Sequence, residues 1–251
     1  GYTMVYGIAK MLNFAHGDII MVGAYTISVG ATMFGLSPIA SVLLSMVVCT
    51  ILGVVIEKIA YKPLRLASPL TVLITAIGVS YFLQSTALLI FGSEQRRVAS
   101  VITVKGFNLG PIELTGESVV TLGPPRVLAV SEDRGAAELM GINVNKTISI
   151  TFAVGSMLAA VAGALFVSSY GFVGPYTGAL PGIKAFVAAV LGGIGSIPGA
   201  MLGGILLGII ESFSKAYIST QLSDAIVFGV LIVVLLVKPS GLLGKQKTTK
   251  V

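Results

Sequence analysis

Glu132, Asp133, Arg134 and Glu138 form the densest group of charges in the chain, inside the stretch VLAVSEDRGAAELMGINVNKTISI (Val127–Ile150), among long apolar runs. A charge at the centre of a bilayer costs roughly 2.5 kcal/mol or more, so this segment belongs outside the membrane, at one face of it. On a helix, Ala136, Ala137, Leu139 and Met140 give a small apolar surface flanked by the charges, and Gly141 can end the helix. The chemistry on offer is contact rather than catalysis. Such a helix can lie in a cleft of a soluble partner, small residues inward and charges at the rim. A solvated interfacial helix without a partner carries the same pattern, and the residues alone leave both readings open.

Two further groups could handle a solute. In NFAHGD, His16 is the only histidine of the chain and stands with Asn13 and Asp18 at a break between apolar runs. A proton relay would need further ionisable partners within the spans, and none is evident. Capping of the next helix by Asp18 or Asn13 is the expected role, with a place along a translocation path as the alternative. In GGIGSIPGA (Gly192–Ala200), Pro198 removes an amide donor and interrupts the helix. Freed backbone groups near Gly193, Gly195 and Ser196 could hold a polar ligand at membrane depth, and amides at a half-helix N-terminus could meet a carboxylate. Tight packing is the competing reading. Gly195, Gly199 and Gly203 recur every four residues, as do Gly155, Ala159 and Gly163, and such stripes let helix backbones touch. GGIGS is not a nucleotide loop, because it lacks the P-loop lysine and no strand precedes it. Glu211 and Lys215, four apart, read as an interfacial pair.

These groups need an apolar frame. The 251 residues are 55% hydrophobic and 10% charged, against about 25% charged in soluble domains. The chain is therefore an integral membrane protein, and its continuous apolar runs exclude a β-barrel, whose strands alternate. The fold class follows as an all-α polytopic bundle with interrupted helices. Spans are expected over Ile19–Phe34, Ile39–Ile56, Leu70–Phe91, Ile148–Tyr170, Ile183–Ile210 (broken at Gly192–Ala200) and Asp224–Val237. Glu57–Pro69 and Glu211–Ser223 read as polar loops, and VITVKGFNLGPIEL as a β-hairpin. The +6 charge lies scattered at loop ends, as topology signals do, which argues against nucleic acid. Cys49, the single cysteine, can make neither an internal disulfide nor a metal pair. The chain opens at Gly1 inside an apolar stretch, so an N-terminal segment is expected to be missing, and no signal peptide is visible.

Orientation comes from Lys and Arg. Glu57–Pro69, Pro124–Lys146 and the tail from Lys238 together hold ten of them, the opposite side five, which puts the first group and the tail in the cytoplasm. A conflict follows. Gly92–Ser118 would be outside and Pro124–Lys146 inside, yet Val119–Val130 is too short, and too rich in proline, to cross as a helix. Either the orientation is the reverse, or one span near Gly123/Pro124 is lacking from the single membrane domain that fills the chain, and the second is expected.

Glu132–Asp133–Arg134 followed by Ala136–Ala137 and Gly141 resembles the EAA-type coupling loop of ABC importer permeases. GYTMVYGIAKMLNFAHGD, EDRGAAELMGINV, GFVGPYTGALPGIKAFVAAVLGGIGSIPGAMLGG and the KPSGLLG tail resemble, in that order, the branched-chain amino acid ABC importer permeases, closest to the H-type of the two paired subunits. Family members carry a further apolar segment before Gly1 and a span just before the coupling loop, and Gly135 stands where a larger or charged residue is usual. The resemblance implies a multi-pass subunit of a bacterial-type inner (plasma) membrane, without catalytic residues, metal or cofactor of its own. It implies a homologous permease partner, two cytoplasmic ATPases that carry ATP and Mg and dock on the coupling helix, and an extracytoplasmic solute-binding protein. Leucine, isoleucine and valine are the implied cargo. Relatives in the family carry urea or short amides.

No Walker A pattern occurs, so an ATP-driven importer needs its ATPase on another polypeptide. A stand-alone secondary transporter or channel is the competing class. It calls for buried ionisable groups or a selectivity filter, and the spans are nearly free of charge. A membrane scaffold has no evident use for helices broken by Gly and Pro.

Overall fold

The computed structural model describes residues 2–9, 13–65, 67–98, 107–109, 112–114, 143–238 and 240–244. Eight α-helices stand among them: α1 (Tyr2–Ala9), α2 (His16–Thr32), α3 (Pro38–Ile56), α4 (Pro69–Phe91), α5 (Val144–Tyr170), α6 (Ala179–Gly192), α7 (Ile197–Tyr217) and α8 (Ser223–Val237). Short strands accompany them, β1 (Arg96–Arg97), β2 (Phe107–Leu109), β3 (Ile112–Leu114) and β4 (Phe172–Val173). The hairpin read from the sequence is β2–β3, antiparallel with Phe107 opposite Leu114.

Local sequence sets the helix starts. Ser37, Ser68, Asn143 and Ser196 each accept a backbone N–H three residues on, at 3.4, 3.3, 2.9 and 3.1 Å. Proline follows in the first helical turn at three of them, where its missing N–H costs nothing. Gly171 ends α5 with φ +71°, a left-handed conformation that glycine adopts without strain.

Among the described residues, four stretches are long and apolar enough to cross a membrane: Pro38–Leu64, α4, α5 and α7. α6 and α8 are shorter apolar helices. The chain is a multi-pass membrane protein. α3 runs antiparallel to α2 and closes on it through small residues. The Ser45 hydroxyl donates to the Gly23 carbonyl at 2.9 Å, and Cys49 Sγ lies 3.6 Å from the Ile19 carbonyl. α5 packs on both. A Cβ on Gly163 would stand 2.7 Å from the Ile20 carbonyl oxygen and 3.0 Å from the Ala24 nitrogen, on α2. Gly155 and Ala159 are buried on the same helix. A second group, α6–α8, is built round an α6–α7 hairpin. Added Cβ atoms on Gly199 and Gly203 would overlap the carbonyls of Gly192 and Ala188.

Three features differ from the sequence reading. The polar loop expected from Glu57 is helical instead: α3 continues through a π-turn (Glu57–Tyr61) and a 3-10 turn (Lys62–Leu64). It can do so because the Glu57 carboxylate is matched inside the protein by Arg65 and Ser149. α7 runs past Glu211 to Tyr217, since Lys184 and Lys215 neutralise that carboxylate. Gly195 leaves the packing stripe. It sits in the α6–α7 turn with φ +93° and has nothing within 4 Å of a would-be Cβ, so it serves the turn and not the helix contact.

The bundle has two distinct ends. Arg65 bonds to Asn145 and Glu57 to Ser149, so α4 and α5 begin at one end. β1 pairs with β4, directly after these two helices, so both finish at the other. α6, α7 and α8 alternate between the same ends. Lys184, Lys215 and Asp224 line one cavity with Ser93 and Gln95, while the tail meets the α6–α7 turn opposite. Val98, whose N–H bonds to the Gly171 carbonyl, and Asn143 consequently lie at opposite ends, the length of the 27-residue α5 apart, roughly 40 Å. Cysteines introduced singly at the exposed Ser93 and Lys146 should then react with an impermeant maleimide from opposite sides of sealed membranes, native Cys49 being buried. Labelling of both from one side would contradict this arrangement.

Candidate functional site

The break before α2 gathers the polar side chains. Asn13 and Asp18 are each 2% exposed and His16 is 6%. Neither Asn13 nor Asp18 caps the helix, as the sequence reading expected. The cap position is Ala15, with no side-chain bond, because both side chains are engaged elsewhere. Tyr61 donates its hydroxyl to Asn13 Oδ1 at 2.8 Å. Asp18 accepts from Gln84 Nε2 at 2.9 Å and from the Ser80 hydroxyl, both on α4, and Gln84 also donates to Ser80 at 3.2 Å. The carboxylate thus stands in the first turn of α2, where the helix dipole favours it, with neutral donors rather than a cation as partners. The Tyr2 ring packs edge-on against His16, centroids 5.5 Å apart.

This polar group meets the start of α6 backbone to backbone. A Cβ on Gly17 would overlap the Gly178 carbonyl oxygen and stand 2.8 Å from the Gly182 Cα. Two helices therefore begin side by side within the bundle, next to buried Asn13, His16 and Asp18. Interrupted helices with polar groups at the break are the arrangement membrane transporters use to hold polar solutes at depth.

Above this contact, toward the β1–β4 end, a cavity of about 690 Å³ opens. Phe166, Tyr170, Phe172 and Tyr176 form one wall and Lys184, Glu211, Lys215 and Asp224 the other. Lys184 Nζ bridges Glu211 at 2.8 Å and Asp224 at 2.7 Å, and Lys215 reaches Glu211 at 2.5 Å. The pair read from i,i+4 spacing is thus part of a network of four charges, and it ties α6, α7 and α8 together.

The other expected path residues lie away from this group. Gly193, Gly195 and Ser196 form the α6–α7 turn at the opposite end of α6. The Ser196 hydroxyl is spent on the Gly199 amide. The turn receives the tail instead: Leu242 and Leu243 donate their N–H groups to the carbonyls of Leu191 and Gly192, both at 2.9 Å. Glu132, Asp133, Arg134, Ala136, Ala137, Leu139, Met140 and Gly141, the expected coupling residues, lie outside the described residues, as does the expected missing span near Gly123/Pro124. Sequence reasoning passed over Ser80 and Gln84. Two hydrogen-bonding side chains one turn apart in an otherwise apolar span were the available signal.

Comparison with known proteins agrees with this architecture. The family described as "Branched-chain amino acid transport system / permease component" matches residues 1–110 and 125–235. The chain is 41% identical to the high-affinity branched-chain amino acid transport system permease protein BraD of Pseudomonas aeruginosa, over 282 positions that cover all of this chain and 92% of that protein. It is 40% identical to the corresponding LivH protein of Escherichia coli, covering all of this chain and 91% of that one. A probable LivH permease of Methanocaldococcus jannaschii is 30% identical over 97% of this chain and 86% of its own length. No solved structure matches. A family match over both halves of the bundle, with identity of this level along the whole chain, shows that the chain belongs to the branched-chain amino acid transport system permease family.

Proposed function

We propose that this chain is the membrane-spanning subunit of an ATP-driven importer of branched-chain amino acids. It works beside a homologous permease subunit, takes its cargo from an extracytoplasmic solute-binding protein, and is moved by two cytoplasmic ATPases. ATP and Mg reside on those ATPases, and the chain contributes no catalytic group. The end carrying Glu57, Arg65, Lys146 and Lys238 faces the cytoplasm, in keeping with the positive-inside bias of its loops. The alignment with BraD runs over 282 positions against the chain's 251 residues, so at least 31 of its positions stand opposite gaps in this chain, and the family match breaks between 110 and 125. Both support the reading that relatives carry a span there that this chain lacks.

The observation that carries the proposal is the meeting of α2 and α6 at Gly17 and Gly178, flanked by Asn13, His16 and Asp18 and by Ser80 and Gln84 of α4. A bundle this apolar keeps buried polar groups at a helix break where a polar solute must be passed across it. The aliphatic side chain of such a cargo is at home in the bundle. Its ammonium and carboxylate are what need partners.

Reconstitution decides between this function and a transporter working alone. Vesicles holding the chain with its permease partner, ATPases and binding protein should accumulate leucine only with ATP inside. Uptake by the purified chain under an ion gradient, without ATPases, would overturn the proposal. Ala137→Arg puts a long cation into the small-residue surface of the coupling segment. It should leave membrane insertion intact and abolish co-purification of the ATPases, and a normally assembled, transporting variant would refute the docking role. Asp18→Asn keeps the shape but trades a charged acceptor for a neutral one, a loss of about 1 kcal/mol or roughly fivefold in any equilibrium the carboxylate favours. Uptake should fall by that order while the ATPases stay attached. Unchanged uptake would remove Asp18 from the path.

A further inference from the structure

Glu57 is fully buried, and the translocation reading above gives it no task. Its carboxylate sits at the end where α3 finishes and α5 begins. Arg65 Nη2 donates to Oε1, and the Ser149 hydroxyl donates to Oε2 at 2.7 Å. The same guanidinium reaches the Asn145 side-chain oxygen through Nη1. Arg65 is only 13% exposed on its side chain. One carboxylate and one guanidinium thus fasten the end of α3, the turn after it and the first two turns of α5. Asn143 completes the fastening by capping α5 through the Lys146 amide at 2.9 Å.

The position matters because Ile142, the last residue of the coupling segment, is bonded directly to Asn143. Any displacement of that segment enters the described bundle through the first turns of α5. There Val144 and Ile148 pack into the core, and the described side chains that hydrogen-bond to another element are Asn145 and Ser149, both of which end on the Glu57–Arg65 pair. A buried charge pair suits a rigid link. Removing one partner strands the other charge in a medium that cannot solvate it, so the two stay together when the helices shift. The short Glu57 side chain at a π-turn also keeps the link close to the backbone.

We propose that Glu57 is the positioning residue that passes ATPase movement from α5 to α3: it locks the two helix ends so that the coupling segment moves both together. This rests on the importer reading and on docking at Ser131–Ile142. The other candidate of note, the charge network in the β1–β4 cavity, has its charges paired with one another and leaves no group awaiting a ligand.

The test uses the assembled transporter in vesicles and reads ATP hydrolysed per leucine imported. Glu57→Gln should leave the ATPases attached and hydrolysing while the ATP used per leucine rises about tenfold, within the 5–150-fold span usual for coupling between sites. Because a single change can strand Arg65, Glu57→Leu with Arg65→Met supplies an apolar pair that restores packing and insertion. This double variant should assemble and hydrolyse ATP yet remain uncoupled. Normal stoichiometry in either variant would overturn the role of Glu57. Loss of the ATPases in Glu57→Gln but not in the double variant would also overturn it, by making the pair a folding element only. Failure of the docking reading shows separately, as an Ala137→Arg complex that keeps its ATPases.

Discussion

Contact between bare backbones holds this bundle together. Apolar side chains gain little by leaving lipid for protein, since both are equally oily, so helices in a membrane associate through close van der Waals packing. Glycine makes the closest approach available. It does so where α5 crosses α2 at Gly163, where α6 turns into α7 at Gly192, Gly199 and Gly203, and where α2 meets α6 at Gly17, Gly178 and Gly182. The last contact brings the interrupted start of α2 against the second group of helices. Side chains larger than hydrogen at Gly17, Gly178 or Gly182 would force the two groups apart.

The polar groups obey a related constraint. With no water at depth, a buried donor or acceptor is costly unless the protein itself answers it, and most here are answered, the hydroxyls of Tyr2, Tyr25 and Ser41 excepted. Asp18 is answered by Ser80 and Gln84, Asn13 by Tyr61, and Glu57 by Arg65 and Ser149. Threonine and serine hydroxyls elsewhere turn back to the carbonyl four residues earlier, as at Thr26, Thr50 and Thr86, which satisfies them without a partner helix. The first three groups bond across helices, as do Ser45 to the Gly23 carbonyl and Lys184 to Glu211 and Asp224. Those cross-helix bonds join helices as well as satisfying the groups that make them.

Much of this was legible in the sequence. Continuous apolar runs announced the spans. The polar break at NFAHGD and the glycine stripes pointed to places where helices stop or touch. The sequence was silent where partners lie far apart along the chain. Glu57 looked like the first residue of a polar loop because Ser149, 92 positions away, is invisible from it. Asp18 looked like a helix cap because Ser80 and Gln84 are more than 60 positions distant. Gly195 matched a four-residue period but fell in a turn, since spacing alone cannot tell where Pro198 starts a new helix. In each case local pattern gave the right type of residue for a special position, and tertiary contact decided which.

The two ends of the bundle are fastened in different ways, and the difference has mechanical content. At the β1–β4 end the charges of Lys184, Glu211, Lys215 and Asp224 are partly solvated. Ion pairs in contact with water are worth about 0.2–1 kcal/mol each and exchange readily for hydration. At the other end Glu57 has no water to turn to, and separating such a pair costs about 3–5 kcal/mol. Helices joined firmly at one end and weakly at the other respond to a push at the firm end by spreading or closing at the weak one. The firm end is where the chain enters α5 from the segment proposed above to couple to the ATPases. The weak end surrounds the open cavity. That pairing is what an importer driven from one side and loaded from the other requires.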